Sequence, residues 1–523
     1  MESGSIAAAP GAPAPEAPDH GPGGKGLKAN AIGYASNVVI GVASTAPGYS
    51  LAATLGFIVA VPGVGLQAPA VLLVSFIPML CIAFGYRYMN RADPDCGTTF
   101  AWVTRGLGPH LGWLSGWAIV AADIIVMASL AQIAGIYTFL LFGWQSAAST
   151  MWAVTIVGVI WIALMTWICV IGIELNAKTQ RWLLTAEVVT LAIFAVVAVV
   201  KVYANHPAGS INPSLGWLNP FQISSFNALV DGVLLGIFIY WGWDSGVAVN
   251  EESEDAANGP GKAAVISTIL LVLIYVVVSF AAQSYGGTKE LIDNQDDVLS
   301  ALGSQVFGSP LDKILIIAVL SSAAASTQTT ILPTARTTLS MARWGAIPAT
   351  FGTVSPRYQT PTVSTIAMGG ASIVWFIGVN LLSQNVLGDS VTAIGFMIAF
   401  YYGLTGLACA IYYRRSLLTS VRNFVSAGVV PFLGFLMLAY VFVRAYIDYG
   451  TKGYDQDYNY TPPLLGIEVP IIIGIGGLIL GVALMLWAMG AHRAFFRRRL
   501  EVAHPLALDD ADVAAVEPVS LAP

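Results

Sequence analysis

Four acidic side chains stand inside long apolar runs of the chain: Asp123, Glu187, Asp231 and Asp244. A charge at mid-bilayer costs about 2.5–3.5 kcal/mol even on the lenient insertion scale, so such a residue ordinarily faces a cavity and has a role. The chemistry open to it is uptake and release of a proton, or the holding of a cation. Asp231 lies nearest a membrane face, and simple solvation accounts for it. Glu187 is the one acid of its apolar run, and Arg181, six positions away, points to a different helix face. Asp244 stands in YWGWDSG (240–246), with Tyr240, Trp241, Gly242 and Trp243. That run is wrong for an ordinary membrane helix.

A second such run is GVASTAPGYSLAATL (41–55), where Ser44, Thr45, Pro47, Gly48 and Ser50 take places expected of leucines. Pro47 has no N–H and its ring crowds the preceding turn, and Gly48 offers little resistance to unwinding. In lipid, freed backbone groups must find partners in protein, water or a ligand. A proline kink repaired by the hydroxyls would explain 41–55 alone. Two breaks at corresponding places in the chain favour a binding site instead.

The elements that hold these residues follow from composition. Of 523 residues, 56% are hydrophobic and 10% charged, with mean hydropathy +0.73. A soluble domain carries about a quarter charged residues, so the chain reads as an all-α polytopic membrane protein. Twelve apolar segments are long enough to span: 31–60, 66–86, 112–142, 151–173, 180–203, 226–249, 263–285, 311–339, 362–383, 391–413, 425–447 and 469–491. The breaks fall in the first and the sixth. The sixth lies five segments after the first, an odd number, so a unit of five that starts at the sixth begins on the opposite side of the membrane. The expected layout is two inverted five-helix repeats, 31–203 and 226–413, followed by two extra helices at 425–491.

With the N-terminus inside, the inner connections hold 18 of the 23 Lys and Arg residues and the outer ones hold 5. The positive-inside rule then places both termini in the cytoplasm, with the outer loops acidic at Asp293, Asp296, Asp297, Asp455 and Asp457. Residues 1–30 and 500–523 read as disordered tails without the pattern of a signal peptide. Cys81, Cys96, Cys169 and Cys409 show no metal-ligand spacing, and the five histidines fall in loops, tails or span ends, so no metal is expected. No phosphate loop or HExxH occurs, so neither ATP-driven pumping nor an enzyme is indicated, and nothing calls for nucleic acid. A channel would want a pore ring or filter; two broken helices suggest an alternating pocket.

Three tracts carry a resemblance. RADPDCGTTFAWVTRGLGPHLGWLSGW (91–117), YWGWD followed by EESEDAANGP (240–260), and ARTTLSMARWGAIPATFGTVSPRYQTP (335–361) resemble, in order, signatures of the amino acid–polyamine–organocation superfamily of secondary transporters. Asp95-Cys96-Gly97 departs slightly from the paired glycines common there. The resemblance implies the inverted-repeat fold in the cytoplasmic membrane. It implies uptake or exchange of amino acids, polyamines or related amines, coupled to protons, sodium or counter-substrate, with no cofactor. It leaves the substrate and the oligomeric state open, and a non-transporting sensor on the same fold is the alternative.

On that reading the substrate site is Thr45, Ala46, Pro47, Gly48 and Tyr49 with Ile239, Tyr240, Trp241, Gly242, Trp243 and Asp244. Unpaired N–H groups around Ala46, Gly48 and Tyr49 would receive a substrate carboxylate at a helix N-terminus. Carbonyls at 239–242 would accept from its ammonium group, and an aromatic side chain would close over it. Packing between helices is the other account of those aromatics. Asp244 would select a cationic end. Tyr401 and Tyr402 would line the pocket. Coupling falls to Glu187, with Asp123 as a second site. Glu187 occupies a position where some members of the superfamily carry a lysine thought to stand in for sodium. Ser321, Ser322, Ser326, Thr327 and Thr330 suit small-residue packing as well as they suit a sodium site.

Overall fold

The computed structural model describes residues 24–295, 297–383, 385–451 and 462–498. The expected outer acids Asp296, Asp455 and Asp457 and the tails at 1–23 and 499–523 lie outside this set. Within residues 24–30, read from sequence as the end of a tail, Lys25 and Leu27 are buried while Gly24, Gly26 and Asn30 stay exposed.

Among the described residues there is no strand, only two isolated bridges. Eleven helices are long and apolar enough to cross a membrane, by length and composition. In chain order the first is broken into α1 (Tyr34–Ser44) and α2 (Pro47–Ala60). After α3 (Ala68–Ala92), the short α4 (Thr99–Leu107) leads into α5 (Pro109–Leu141), α6 (Met151–Ile171) and α7 (Ile173–Asn205). The sixth apolar segment forms α8 (Phe226–Ile239) and the one-turn α9 (Ser245–Ala248). Next come α10 (Gly259–Asp293), α11 (Val298–Phe307) and α12 (Asp312–Arg343). The last are α13 (Thr362–Leu382), α14 (Val386–Tyr412), α15 (Val430–Tyr449) and α16 (Val469–Ala491). At 14 residues, α8 is too short to span by itself. The helices α4 and α11 lie in stretches that hydropathy alone leaves as connections.

Each break follows from its residues. At the first, the Thr45 hydroxyl donates to Val42 O at 2.7 Å and tightens the end of α1. Ala46 takes a left-handed conformation, φ 46° and ψ 68°. Pro47 then starts α2 at its first position, where a missing N–H costs nothing and a fixed φ suits the helix. At the second break, residues 240–244 turn out of the helix and Gly242 adopts φ +118°. The two breaks touch. A Cβ added at Gly242 would stand 2.9 Å from both the carbonyl carbon and oxygen of Ser44, and the hydroxyls of Ser44 and Ser245 share a hydrogen bond of 2.8 Å.

Around this crossing, α1 is held by α7, α10 and α12, while α2 lies against α8 and α10. Residues 47 to 59 of α2 are all buried, so the broken helix is the centre of the bundle. Gly242→Ala combines a disfavoured backbone angle with a collision against Ser44, and about 1–3 kcal/mol of destabilisation is expected. A clear drop in the unfolding temperature of the purified chain in detergent is the measurement that checks it.

Candidate functional site

The start of α2 meets a carboxylate from another helix. The Gly48 N–H donates to Glu187 Oε1 at 2.6 Å, and the Ser322 hydroxyl donates to the same oxygen at 2.8 Å. The Tyr49 N–H donates to Ser322 Oγ at 3.1 Å, and the Ala46 N–H to Ala43 O at 3.1 Å. The three N–H groups expected to be unpaired therefore all have acceptors within the chain. The reason is the macrodipole: a helix N-terminus favours negative charge, and Glu187 on α7 supplies it. Glu187 is fully buried, and its other oxygen, Oε2, has no hydrogen-bond partner. Gly48 leaves room for this seat, since a Cβ there would come within 3.3 Å of Glu187 Oε1.

Four of the freed carbonyls are closed in the same way. Ser326 of α12 donates to Ser44 O at 2.8 Å, and Ser50 donates to Thr45 O at 2.6 Å. At the second break, Tyr275 donates to Ile239 O at 2.5 Å, and the Ser245 N–H to Gly242 O at 3.0 Å. Two of the α12 hydroxyls thus serve the first break. Ser321 and Thr327 instead donate to carbonyls of their own helix.

Asp244 sits among tyrosines. Tyr402 donates to its Oδ1 at 2.8 Å; Tyr401 and Tyr86 reach Oδ2 at 3.4 and 3.5 Å. The Tyr86 hydroxyl also shares a 2.6 Å hydrogen bond with Thr99. Of the three aromatics of the break, Tyr240 turns away, donating to Leu72 O at 3.0 Å and packing edge-on to Tyr275. Trp243 fills the interior against Tyr86 and Tyr402, with ring centroids 4.9 and 5.1 Å away. Trp241 donates to the Tyr401 hydroxyl beside Asp244. Asp123 on α5 accepts from Thr334 of α12. Among the described residues, none of Asp123, Glu187 and Asp244 has a basic partner. Asp231 is half-buried beside Arg444 and Asp448, a pair 2.8 Å apart.

A second cluster, not anticipated from sequence, lies before α1. Lys25 is buried with its ammonium 2.8 Å from Asp95 Oδ1 and 2.6 Å from Glu251 Oε1. Glu251 Oε1 also receives the Cys96 N–H at 2.8 Å. Asp95 accepts from Ser340 at 2.6 Å and from the Trp344 indole at 3.0 Å. Arg336 holds Glu252 with two bonds, 2.6 and 2.9 Å. Burial alone would lower the Lys25 pKa, but the charges of Asp95 and Glu251 outweigh it and hold the ammonium above the usual lysine range. Ligand atoms of Asp95, Cys96 and Glu251 lie within 4.8 Å of one another, a grouping that could suit a metal ion; the Lys25 ammonium stands there instead. The three tracts quoted from the sequence, 91–117, 240–260 and 335–361, all send residues into this cluster.

These features define a polytopic α-helical membrane protein with two broken helices crossing at a buried, acid-rich centre. Residues 31–495 match the family described as amino acid permease, and the chain belongs to that family. A vacuolar cationic amino acid transporter 4 from Arabidopsis thaliana is 27% identical over 361 residues, 64% of this chain and 56% of the relative. The low-affinity putrescine importer PlaP of Escherichia coli K12 is 20% identical, over 72% of this chain and 81% of its own. The serine/threonine exchanger SteT of Bacillus subtilis is 21% identical, over 66% and 74%. The match spans about half the length of the plant transporters.

Lys25→Met leaves Asp95 and Glu251 buried without their cation. Breaking a buried pair from one side is expected to cost about 3–5 kcal/mol. Asp95 keeps its other donors, so adding Glu251→Gln is expected to restore most of the loss. Denaturation of the single and double variants in detergent gives the comparison.

Proposed function

We propose that the chain is a secondary active transporter of the cytoplasmic membrane, moving an amino acid or related small amine by alternating access with proton coupling through Glu187. The observation that carries the reading is the seat of Glu187. One carboxylate oxygen holds α2 to α7 and α12 through Gly48 and Ser322, and the other is open. A charged carboxylate grips the N–H groups of a helix N-terminus more tightly than a neutral one does. A proton arriving on Glu187 loosens that grip and frees the two halves of the first broken helix to rearrange. One residue thus links proton loading to the shape of the substrate site.

Support comes also from the relatives, whose names refer to cationic amino acids, putrescine, serine and threonine. The pairing of the breaks fits inverted repeats at 31–203 and 226–413, and the 18-to-5 distribution of Lys and Arg supports a cytoplasmic location for both termini. On this orientation the Lys25 cluster seals the cytoplasmic side and must open for release. Two of the hydroxyls that kept sodium coupling open, Ser322 and Ser326, are committed to Glu187 and Ser44.

The test is flux into proteoliposomes under an imposed proton gradient of either direction, without sodium. Wild type is expected to move labelled substrate, and Glu187→Gln to lose the gradient-driven part by about tenfold or more, the scale of a charge-assisted hydrogen bond. Gradient-driven flux that survives the substitution would remove Glu187 from coupling, and a strict sodium requirement would remove the proton mechanism.

A further inference from the structure

The first turn of α2 has no donor left for a ligand. Pro47 has no N–H, Gly48 donates to Glu187 and Tyr49 to Ser322. The N–H groups on either side, Ala46 and Ser50, bond to Ala43 O at 3.1 Å and Ala46 O at 2.8 Å. A carboxylate arriving with a substrate would have to evict one already there. That carboxylate is tethered to α7, so it stays beside the start of α2 even when its grip loosens.

Charge points the same way. Asp123, Glu187 and Asp244 are buried. The buried basic residues among those described are Lys25 and Arg336, and both are committed outside the breaks, to Asp95 and Glu251 and to Glu252. Among the described residues, no buried cation is left to pair with a ligand's negative charge at the breaks. Meanwhile Glu187 Oε2, fully buried, lacks any donor. An ionised carboxylate accepts at both oxygens, and a buried acceptor left empty costs about 1–3 kcal/mol. The vacancy fits an ammonium N–H.

We propose that the substrate is an organic ammonium ion with no carboxylate of its own. Glu187 fills the place that an amino acid's carboxylate would take, and its free oxygen receives the substrate's N–H, with Asp244 and its tyrosines as the further counter-charge. This narrows the substrate class of the transporter reading above and rests on it.

Matched pairs that differ only in the α-carboxylate isolate the claim: cadaverine and lysine, putrescine and ornithine, agmatine and arginine, phenethylamine and phenylalanine. Binding to the purified full-length chain is measured for each, with its thermal unfolding as a check on folding. In at least one pair the amine is expected to bind about tenfold or more tightly than its amino acid, the scale of a hydrogen bond to a charged group. Glu187→Ala empties the seat, and the preference is expected to shift toward the amino acid by a similar factor. Glu187→Gln keeps the shape and removes the charge, so it is expected to lose amine affinity without gaining amino acid affinity. Amino acids that bind as tightly as their amines in wild type would overturn the inference and leave transport standing, as would a pair ratio unmoved in both variants. If no member of any pair binds, the transporter reading falls, and this inference falls with it.

Discussion

No backbone donor or acceptor can go unanswered in the interior of a bilayer, and a helix broken at its centre exposes several at once. The structure is built around meeting that demand at two places that touch. Side chains distant in sequence answer it: Glu187 and Ser322 for the N–H groups of Gly48 and Tyr49, Ser326 for Ser44 O, Tyr275 for Ile239 O. Together these tie three helices, α7, α10 and α12, to the breaks. The packing of α7, α10 and α12 about α1 is therefore also a hydrogen-bonding arrangement, and displacement of any one of them would leave polar groups bare.

Buried charge is divided into two regions with opposite accounting. Before α1, acids and bases are matched: Lys25 with Asp95 and Glu251, Arg336 with Glu252. At the breaks, acids stand without bases and are stabilised by hydroxyls and backbone N–H groups. Ion pairs of the first kind hold elements in one arrangement, because removing either partner strands the other. Carboxylates of the second kind remain open to a proton or a cation. The molecule thus keeps its matched and its unmatched buried charges in separate clusters.

Local chemistry was legible in the sequence and long-range pairing was not. Pro47 and Gly48 mark the first break because proline removes a ladder hydrogen bond and glycine resists unwinding little, and Gly242 with Asp244 marks the second; both lie where the residues placed them. The acid Glu187 could be singled out by its apolar surroundings. Its partner could not, because Gly48 is 139 positions away, and no spacing rule links them. The expectation of unpaired N–H groups failed for that reason. Tyr240, Trp241 and Trp243 are adjacent and chemically alike, yet they point to three different environments, which only the turn at Gly242 decides. Lys25 looked like part of a polar tail, since nothing in a run of Gly, Ala and Pro announces that one lysine will be buried by acids from two other loops.

Pro47 has a further consequence. As the first residue of α2 it suits a helix start, whereas inside a helix formed by joining α1 to α2 it would leave a ladder hydrogen bond unmade and crowd the preceding turn, the cost that Pro78 in α3 and Pro333 in α12 carry. The gap at Thr45 and Ala46 is favoured by the left-handed turn at Ala46 together with Pro47. The regular backbone ladder of α1 does not run on into α2. The two halves can turn about a pair of residues while each keeps its own ladder, so the joint behaves as a swivel whose cost lies in side-chain contacts such as Ser44 with Ser245 and not in melted helix.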